Sequence, residues 1–163
     1  MLTFLALLWT VLVAAQAPSS ASATVVSAAE LEATFKRAIA NNTVDTMVKT
    51  TPILGGNATV AVLHRVRAET SALIHDYVTE VYQITEGSGT LVTGGTLQEP
   101  RESDLTRLGA GISRSGAHIG GTAQRVGPKD VIIVPAGMPH RFSQLDGPIS
   151  YLVYRFDPAS AKK

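Results

Sequence analysis

The feature that most constrains the fold is a series of short apolar segments separated by glycine-rich turns, which begins near Thr51. Some of these segments alternate between apolar and other residues, and others are apolar throughout. Short strands with frequent turn signals are typical of an antiparallel sandwich or barrel. The clearest strands are predicted at 59–67, 79–85, 89–93, 131–134, 140–144 and 149–156.

The segment 94–121 interrupts this pattern, because it is polar and lacks long apolar runs. We expect it to form a long excursion over the mouth of the barrel, where loops commonly carry substrate contacts. No internal repeat is visible along the chain. The sequence therefore predicts a single all-β barrel rather than a duplicated pair.

One helix is predicted ahead of the strands. Ser27 and Glu30 form a capping box, in which each side chain can satisfy a free backbone N–H at a helix start. Leu31 and Phe35 then begin an apolar repeat at helical spacing. We expect a helix at about 28–41 that packs against the outside of the barrel.

The chain begins with an apolar run at residues 2–15. A membrane-spanning helix needs about 20 apolar residues, so this run has the length expected of a signal-peptide core. Ala15-Gln16-Ala17 and Ala21-Ser22-Ala23 both suit a signal peptidase, and Pro18 directly after the first site favours the second. No Lys or Arg precedes the run, and an uncleaved anchor is the rival interpretation. We expect a secreted or periplasmic protein with these parts: signal peptide 1–23, helix and lead-in 24–50, barrel 51–158 and tail 159–163.

Charge and cysteine content exclude two kinds of site. The formal net charge is +1, with no basic stripe that could neutralise several phosphates, so nucleic-acid binding is not expected. The chain has no cysteine, which excludes thiolate catalysis and thiolate metal ligation. After cleavage of the leader no stable membrane span is expected.

Two histidines and a glutamate are the residues best suited to hold a divalent metal. Glu80 lies near the start of a predicted strand, five positions after His75, and shares one face of that strand with Tyr82. His140 follows the tight turn PAGMPH and is predicted to share a face with Gln144. If these strands face each other across the barrel interior, two imidazoles and one carboxylate converge.

Such a ligand set suits a divalent transition metal, namely Fe, Mn, Zn, Ni or Co. Burying an ionised carboxylate in an apolar interior without a partner destabilises the fold by on the order of several kcal/mol. A cation beside the carboxylate offsets this penalty. That cation is either a metal ion or an arginine, and the candidates are Arg65, Arg125 and Arg141. Both possibilities stay open at this point.

The same residues carry a resemblance to the cupin superfamily. The segment His75-x4-Glu80-x6-Gly87 resembles the second half of the first cupin motif, G(X)5HXH(X)3–4E(X)6G. The segment Pro135-x-Gly137-x2-His140 resembles the second motif, G(X)5PXG(X)2H(X)3N. The resemblance implies a single jelly-roll barrel with metal ligands at His75, Glu80 and His140.

Three positions depart from the cupin pattern. Leu73 stands where the first histidine of the HXH pair is expected, so one usual ligand is absent. Lys129 replaces the first glycine of the second motif, and Gln144 replaces its final asparagine. The first departure matters most, because it leaves a three-residue ligand set with an additional open position.

Several other residues are candidates for a role in the pocket. His64 shares a strand face with Val60, Val62 and Val66, so it points into the barrel if those valines do. There it can act as a substitute ligand, a polar pocket group or a general base; the alternative is a buried structural histidine. Tyr77, Tyr82 and Gln144 are candidates to orient a substrate or to move a proton, with His64 and Tyr82 as the expected catalytic residues. His118 is expected to be a loop residue.

Two functions follow from this pocket, with a third alternative that it has no use. The first is a metal-dependent enzyme acting on a small organic molecule by dioxygenase, isomerase or lyase chemistry. The second is a non-catalytic protein that binds or stores a small ligand, since fold alone does not separate them. The resemblance also implies a homodimer that pairs either through sheet edges or through swapped N-terminal segments. The strand 149–156 with Tyr151 and Tyr154 is the candidate edge.

Overall fold

The computed structural model describes residues 22–158, which fold into two antiparallel β-sheets, one α-helix and one 3₁₀-helical turn at Thr106–Leu108. The predicted signal peptide lies almost entirely outside the described residues, and so does the predicted tail at 159–163. The two sheets face each other and enclose a common apolar core. The prediction of a single jelly-roll barrel with one outer helix is confirmed.

Eleven strands build the two sheets. In chain order they are β1 Asp45–Ile53, β2 Gly56–Arg65, β3 Ala72–His75, β4 Thr79–Glu86, β5 Gly89–Thr93, β6 Thr96–Asp104, β7 Ile112–Ile119, β8 Thr122–Val126, β9 Val131–Val134, β10 His140–Leu145 and β11 Ile149–Pro158. The five-stranded sheet has the order β1-β2-β11-β4-β9, and the six-stranded sheet has the order β6-β7-β3-β10-β5-β8.

The helix α1 spans Ala28–Ala40, within one residue of the predicted end. The capping box is present: the Ser27 hydroxyl accepts from the Glu30 N–H, and the Glu30 carboxylate accepts from the Ser27 N–H. The helix packs on β1 and β2. None of the helical segments between residues 22 and 158 has both the length and the apolar character needed to span a bilayer.

The interior of the barrel is lined by alternate residues of its strands. On β2 the inward residues are Ala61 and Leu63, and on β11 they include Tyr151 and Val153. The intervening residues of β2 lie on the outer face, which α1 partly covers. Because both faces of β2 are therefore apolar, its sequence pattern does not reveal which face is inside.

The predicted excursion at 94–121 is wrong. The segment contains β6 and β7, which pair with each other, and β7 also pairs with β3 as part of the barrel wall. The strand β6 is an edge strand without a buried residue, and Pro100 lies where its register shifts. An edge strand exposed on both faces has no apolar alternation, which is why the sequence pattern did not indicate it.

The proposed role of 149–156 as a sheet edge is also wrong. Strand β11 is central in its sheet and pairs with β2 on one side and β4 on the other. Tyr151 is buried in the core, so it cannot contact a second subunit. The sheet also begins earlier than expected, since β1 starts at Asp45 within the segment assigned to the lead-in.

Candidate metal centre

The three predicted ligands lie at strand ends on two different sheets. His75 is the last residue of β3 and His140 is the first residue of β10, and these strands are neighbours in the six-stranded sheet. Glu80 is the second residue of β4 in the five-stranded sheet. The short connection from β3 to β4 crosses between the sheets, so it brings a carboxylate to face the two imidazoles.

The turn between β9 and β10 is tied directly to the first histidine. Gly137 donates its N–H to the carbonyl oxygen of His75 at 2.8 Å. Gly137 has a φ of 78°, a left-handed conformation that favours glycine. The turn that presents His140 is therefore fixed to the strand that presents His75.

The ligand atoms of the three side chains converge. The Glu80 Oε2 atom lies 3.4 Å from His75 Nε2 and 3.6 Å from His140 Nε2. All three atoms lie within 4.8 Å of one another. The residues are buried, with exposed fractions of 4% for His75, 1% for Glu80 and 5% for His140. The structure thus brings together the three residues that the sequence singled out as metal ligands.

His75 is held in one tautomer by Ser113. The Ser113 hydroxyl can donate to the carbonyl oxygens of Ala110 and Gly111, at 3.2 Å and 3.3 Å. Its oxygen then accepts from His75 Nδ1 at 2.8 Å, which places the proton of a neutral ring on Nδ1. The Nε2 lone pair of His75 consequently points toward Glu80.

His140 has the same arrangement with a backbone partner. Its Nδ1 lies 3.0 Å from the carbonyl oxygen of Met138, which can only accept, so Nδ1 carries the proton. Burial lowers the pKa of His140, and the attraction of Glu80 does not fully offset this effect. The ring is thus neutral near pH 7, with its Nε2 lone pair free for a ligand bond. Sequence reasoning did not identify either outer partner.

These protonation states test whether a metal ion fits. With both Nδ1 atoms protonated, two Nε2 lone pairs and a carboxylate oxygen face one another, and such a cluster requires a shared proton or a cation. Ligand atoms about 2.0–2.2 Å from a metal at tetrahedral angles are separated by about 3.3–3.6 Å. The two measured separations to Glu80 Oε2, 3.4 Å and 3.6 Å, match this range. The residues fit a divalent transition metal.

The second oxygen of Glu80 is bound by an arginine that the sequence did not indicate. Arg155 donates from Nε to Glu80 Oε1 at 2.8 Å, and both side chains are 2% exposed. Burial by itself raises the pKa of Glu80. In acid, where the imidazoles are protonated, the hydrogen bond and charge of His75, followed by the charges of Arg155 and His140, hold this pKa well below its usual range. Because a guanidinium is permanently charged, Glu80 stays ionised in the folded protein.

Arg155 does not neutralise the region by itself. Its terminal nitrogens bind the Asp45 carboxylate, at 3.3 Å from Nη1 and 2.5 Å from Nη2. One guanidinium is therefore shared between two carboxylates, which leaves one net negative charge beside the two imidazoles. A cation bound at Glu80 Oε2 would compensate that charge.

Alternation along β11 is the signal that could have revealed Arg155. Ile149, Tyr151 and Val153 face the core, and period two places Arg155 on the same face. Arg155 is also directly opposite Glu80 in the pairing of β11 with β4. The three arginines considered from sequence have other partners: Arg65 binds Tyr151 and Glu69, Arg125 binds Asp146, and Arg141 binds the carbonyl oxygen of Glu69.

Tyr82 lies in the core next to the cluster. Its hydroxyl donates to Glu80 Oε2 at 2.6 Å, and its ring centroid is 6.2 Å from that of His140. Burial, followed by the negative charge of Glu80, raises the pKa of Tyr82 well above its usual value. Tyr82 therefore holds its proton at neutral pH.

The expectation that His64 points into the barrel is wrong. His64 lies on the outer face of β2, opposite to the face of Ala61 and Leu63 that lines the core. Its Nδ1 lies 3.0 Å from the hydroxyl oxygen of Ser150, which lies on the outer face of β11. Because β2 separates His64 from the barrel interior, it can neither replace a ligand nor act as a base at the cluster.

Three other candidates also lie away from the cluster. Gln144 is exposed, because a register shift between Phe142 and Gln144 breaks the alternation that was expected to bring it to the face of His140. Tyr77 is 43% exposed. His118 lies in strand β7 rather than in the predicted loop, where its Nε2 lies 2.7 Å from the carbonyl oxygen of Gly94.

Comparison with known proteins supports the fold. No protein-family model matches the sequence, and no curated protein matches it significantly. Among solved structures, the BH2720 protein of Bacillus halodurans superposes with a TM-score of 0.50 at 20% identity, over 82% of this chain and 80% of that chain. Together with the two-sheet topology and both motifs at the site, this similarity decides the fold. The chain has a cupin fold.

Two further structures resemble this protein less closely than BH2720 does. A cupin superfamily protein of Desulfitobacterium hafniense DCB-2 has a TM-score of 0.41 at 14% identity, over 68% of this chain and 73% of that chain. The DMSP lyase DddQ from Ruegeria pomeroyi DSS-3 has a TM-score of 0.40 at 19% identity. That superposition covers 62% of this chain but only 38% of DddQ, so the chain spans well under half of the length of DddQ.

Proposed function

We propose that this cupin binds a divalent transition metal ion, one of Fe, Mn, Zn, Ni or Co, and uses it in chemistry on a small organic molecule. The observation that carries the proposal is the convergence of two Nε2 lone pairs and one carboxylate oxygen. His75, Glu80 and His140 are the ligands. A bound ion of this class supplies Lewis-acid or redox chemistry, which covers dioxygenase, isomerase and lyase reactions.

The side chains around the ligands have separate tasks in this proposal. Ser113 and the carbonyl oxygen of Met138 keep the histidines in the tautomer that presents Nε2. Tyr82 is the catalytic residue of the proposal, because its retained proton lets it donate a hydrogen bond or a proton beside the ligand oxygen of Glu80. A role as general base does not fit, since its pKa is raised.

Metal content of purified protein tests the proposal. Wild type, His75→Ala, Glu80→Gln and His140→Ala are compared by elemental analysis and by titration of metal-stripped protein with Co²⁺. We expect wild type to bind about one equivalent and each variant to bind at least ~100-fold more weakly, because each loses one of three ligands. Equal and negligible binding by all four proteins overturns the proposal.

His64→Ala is the matched control for this experiment. It also removes a buried histidine with a hydroxyl partner on Nδ1, but the residue lies on the outer face of the sheet. Its Co²⁺ affinity is expected to equal that of wild type. A loss equal to that of His75→Ala would mean that binding depends on general stability and not on the three ligands.

A second candidate function is the binding or storage of a small ligand without turnover. The low exposure of all three ligand side chains favours it, because closed metal sites are more often structural than catalytic. The two functions are distinguished by adding azide to the Co²⁺-loaded protein. A change in the visible spectrum demonstrates an exchangeable coordination position and supports the enzyme, whereas an unchanged spectrum supports the binding protein.

We also propose that the protein is exported. The support is the apolar run at 2–15 followed by the small-residue site Ala21-Ser22-Ala23. Expression of the full chain with a C-terminal tag, followed by mass measurement of the product, tests this proposal. A tagged product that starts at Thr24 and lies outside the cytoplasm supports export. A full-length product that stays inside the cell contradicts it.

A further inference from the structure

Arg155 makes four hydrogen bonds within the barrel wall, and only one of them reaches the metal site. Its Nε donates to Glu80 Oε1, and Nη1 donates to the carbonyl oxygen of Leu108 at 2.6 Å. The remaining two bonds run from Nη1 and Nη2 to the two carboxylate oxygens of Asp45. The guanidinium is 2% exposed and the Asp45 side chain is 18% exposed.

The division of these bonds between the two carboxylates is unequal. A guanidinium prefers to bind a carboxylate with two parallel N–H···O bonds. Asp45 receives that two-bond arrangement, and Glu80 receives a single bond through Nε. The other Glu80 oxygen, Oε2, is consequently left to face Tyr82 and the two histidines.

Without Asp45, the same arginine has a second geometry available. Glu80 is directly opposite Arg155 on the neighbouring strand, so the guanidinium can turn toward it and bind both of its oxygens. Oε2 would then be occupied by an N–H group and would be a poorer ligand. The availability of Oε2 thus depends on a residue outside the metal site.

We propose that Asp45 keeps Glu80 Oε2 available as a metal ligand, because it holds the terminal nitrogens of Arg155 away from that oxygen. The inference rests on the proposed metal-binding function. Asp45 and Arg155 are positioning residues that keep Glu80 a ligand through one oxygen. This geometry disfavours Ca²⁺, which commonly uses both oxygens of a carboxylate and needs six or more oxygen ligands.

A double-mutant cycle at Asp45 and Arg155 tests the inference. Co²⁺ affinity is measured by competition with a chelator, together with the visible spectrum of the Co²⁺-loaded protein. Asp45→Ala is expected to weaken binding by about 10–100-fold, the usual effect of losing an outer partner of a ligand. Asp45→Asn keeps one acceptor oxygen and the shape of the side chain, so its loss should be smaller.

The double variant Asp45→Ala with Arg155→Gln gives the decisive comparison. Glutamine cannot form the two-bond arrangement with Glu80, so Oε2 becomes free again and the affinity should recover by about tenfold relative to Asp45→Ala. A purely structural role for Asp45 predicts that the double variant is no better than the single one. Its Co²⁺ spectrum should also return toward that of wild type.

The controls separate folding from positioning. Far-UV circular dichroism and urea midpoints are recorded for each variant, and Asp45→Asn carries the test if Asp45→Ala does not fold. Asp146→Asn removes the carboxylate that pairs with Arg125, a pair at the turn joining β10 to β11. Its Co²⁺ affinity should not change.

The possible failures are distinguishable. If wild type binds no Co²⁺, the proposed function fails and this inference fails with it. If wild type binds Co²⁺ but Asp45→Ala has the same spectrum and an affinity within about twofold, only the role of Asp45 is overturned. No recovery in the double variant overturns it as well.

Discussion

Two buried histidines of this protein have nearly the same immediate surroundings but lie on opposite sides of the barrel wall. His75 places Nδ1 2.8 Å from the hydroxyl oxygen of Ser113 inside the barrel, and His64 places Nδ1 3.0 Å from that of Ser150 on the outer face. Their exposed fractions are 4% and 8%. Burial and a serine partner therefore do not distinguish them.

The difference lies at the second ring nitrogen. Nε2 of His75 faces Glu80, and Nε2 of His140 faces the same carboxylate oxygen. In the part of the chain from 22 to 158, the His75, Glu80 and His140 group is the one that can gather three metal-ligand atoms, and His64 does not belong to it. A buried histidine belongs to a candidate metal site only if other ligand atoms lie close to the ring nitrogen that its structural hydrogen bond leaves free.

The largest expected effect comes from removing the carboxylate that distinguishes the two regions. Glu80→Leu removes the acceptor of two buried donors, Arg155 Nε and the Tyr82 hydroxyl, so we expect the free energy of unfolding to fall by about 3–5 kcal/mol. His64→Leu removes one hydrogen bond, to the Ser150 hydroxyl, and should cost only about 1–2 kcal/mol. Urea denaturation measures both. Equal losses would mean that the two regions contribute alike to stability.

The two serine partners provide a closely matched pair of variants. Ser113→Ala frees the His75 ring to change tautomer or to rotate, so Co²⁺ affinity should fall by about tenfold. Ser150→Ala removes the corresponding partner of His64 and should leave the affinity unchanged. Chelator competition gives both values. A comparable loss in Ser150→Ala would show that the outer face communicates with the cluster.

The pH dependence of metal binding sharpens the same comparison. A metal ligand histidine must be unprotonated, so Co²⁺ affinity should fall in acid by about tenfold per pH unit for each proton that has to be displaced. Because burial lowers the pKa of His140 from the usual 6.5, its contribution to this loss begins below pH 6.5. His64→Ala should show the same pH profile as wild type. A profile that shifts in this variant would contradict the separation of the two regions.

The smallest effect concerns the helix that packs on the outer face. Ser27→Ala removes the N-cap of α1, and loss of such a cap typically costs about 1 kcal/mol of helix stability. The helix should fray and expose the outer face of β2, so His64 should react faster with diethyl pyrocarbonate. Lowering the free energy of helix opening by about 1 kcal/mol raises the open population, and therefore the labelling rate, by about fivefold. The reactivity of His75 should not change. Peptide mass spectrometry after brief labelling measures each rate.

Local sequence features accounted for much of this structure. The capping box and apolar repeat predicted α1, and glycine-punctuated strands predicted the barrel class. The residues His75, Glu80 and His140 lie at ends of short elements within recognisable motifs, so their proximity followed from the resemblance to cupins. Each of these features depends on a few neighbouring residues, and for that reason it is visible in the chain itself.

Tertiary structure decided the rest. Which face of β2 is inside depends on α1 covering the other face, so the alternation that includes His64 was ambiguous. The displacement of Gln144 depends on a register shift against β5. Arg155 lies 75 positions from Glu80 and 110 positions from Asp45 along the sequence. Contacts between residues so far apart are determined by strand register and not by any local pattern. The sequence by itself determined the elements and the chemistry of the ligands, whereas only the packed sheets determined what surrounds them.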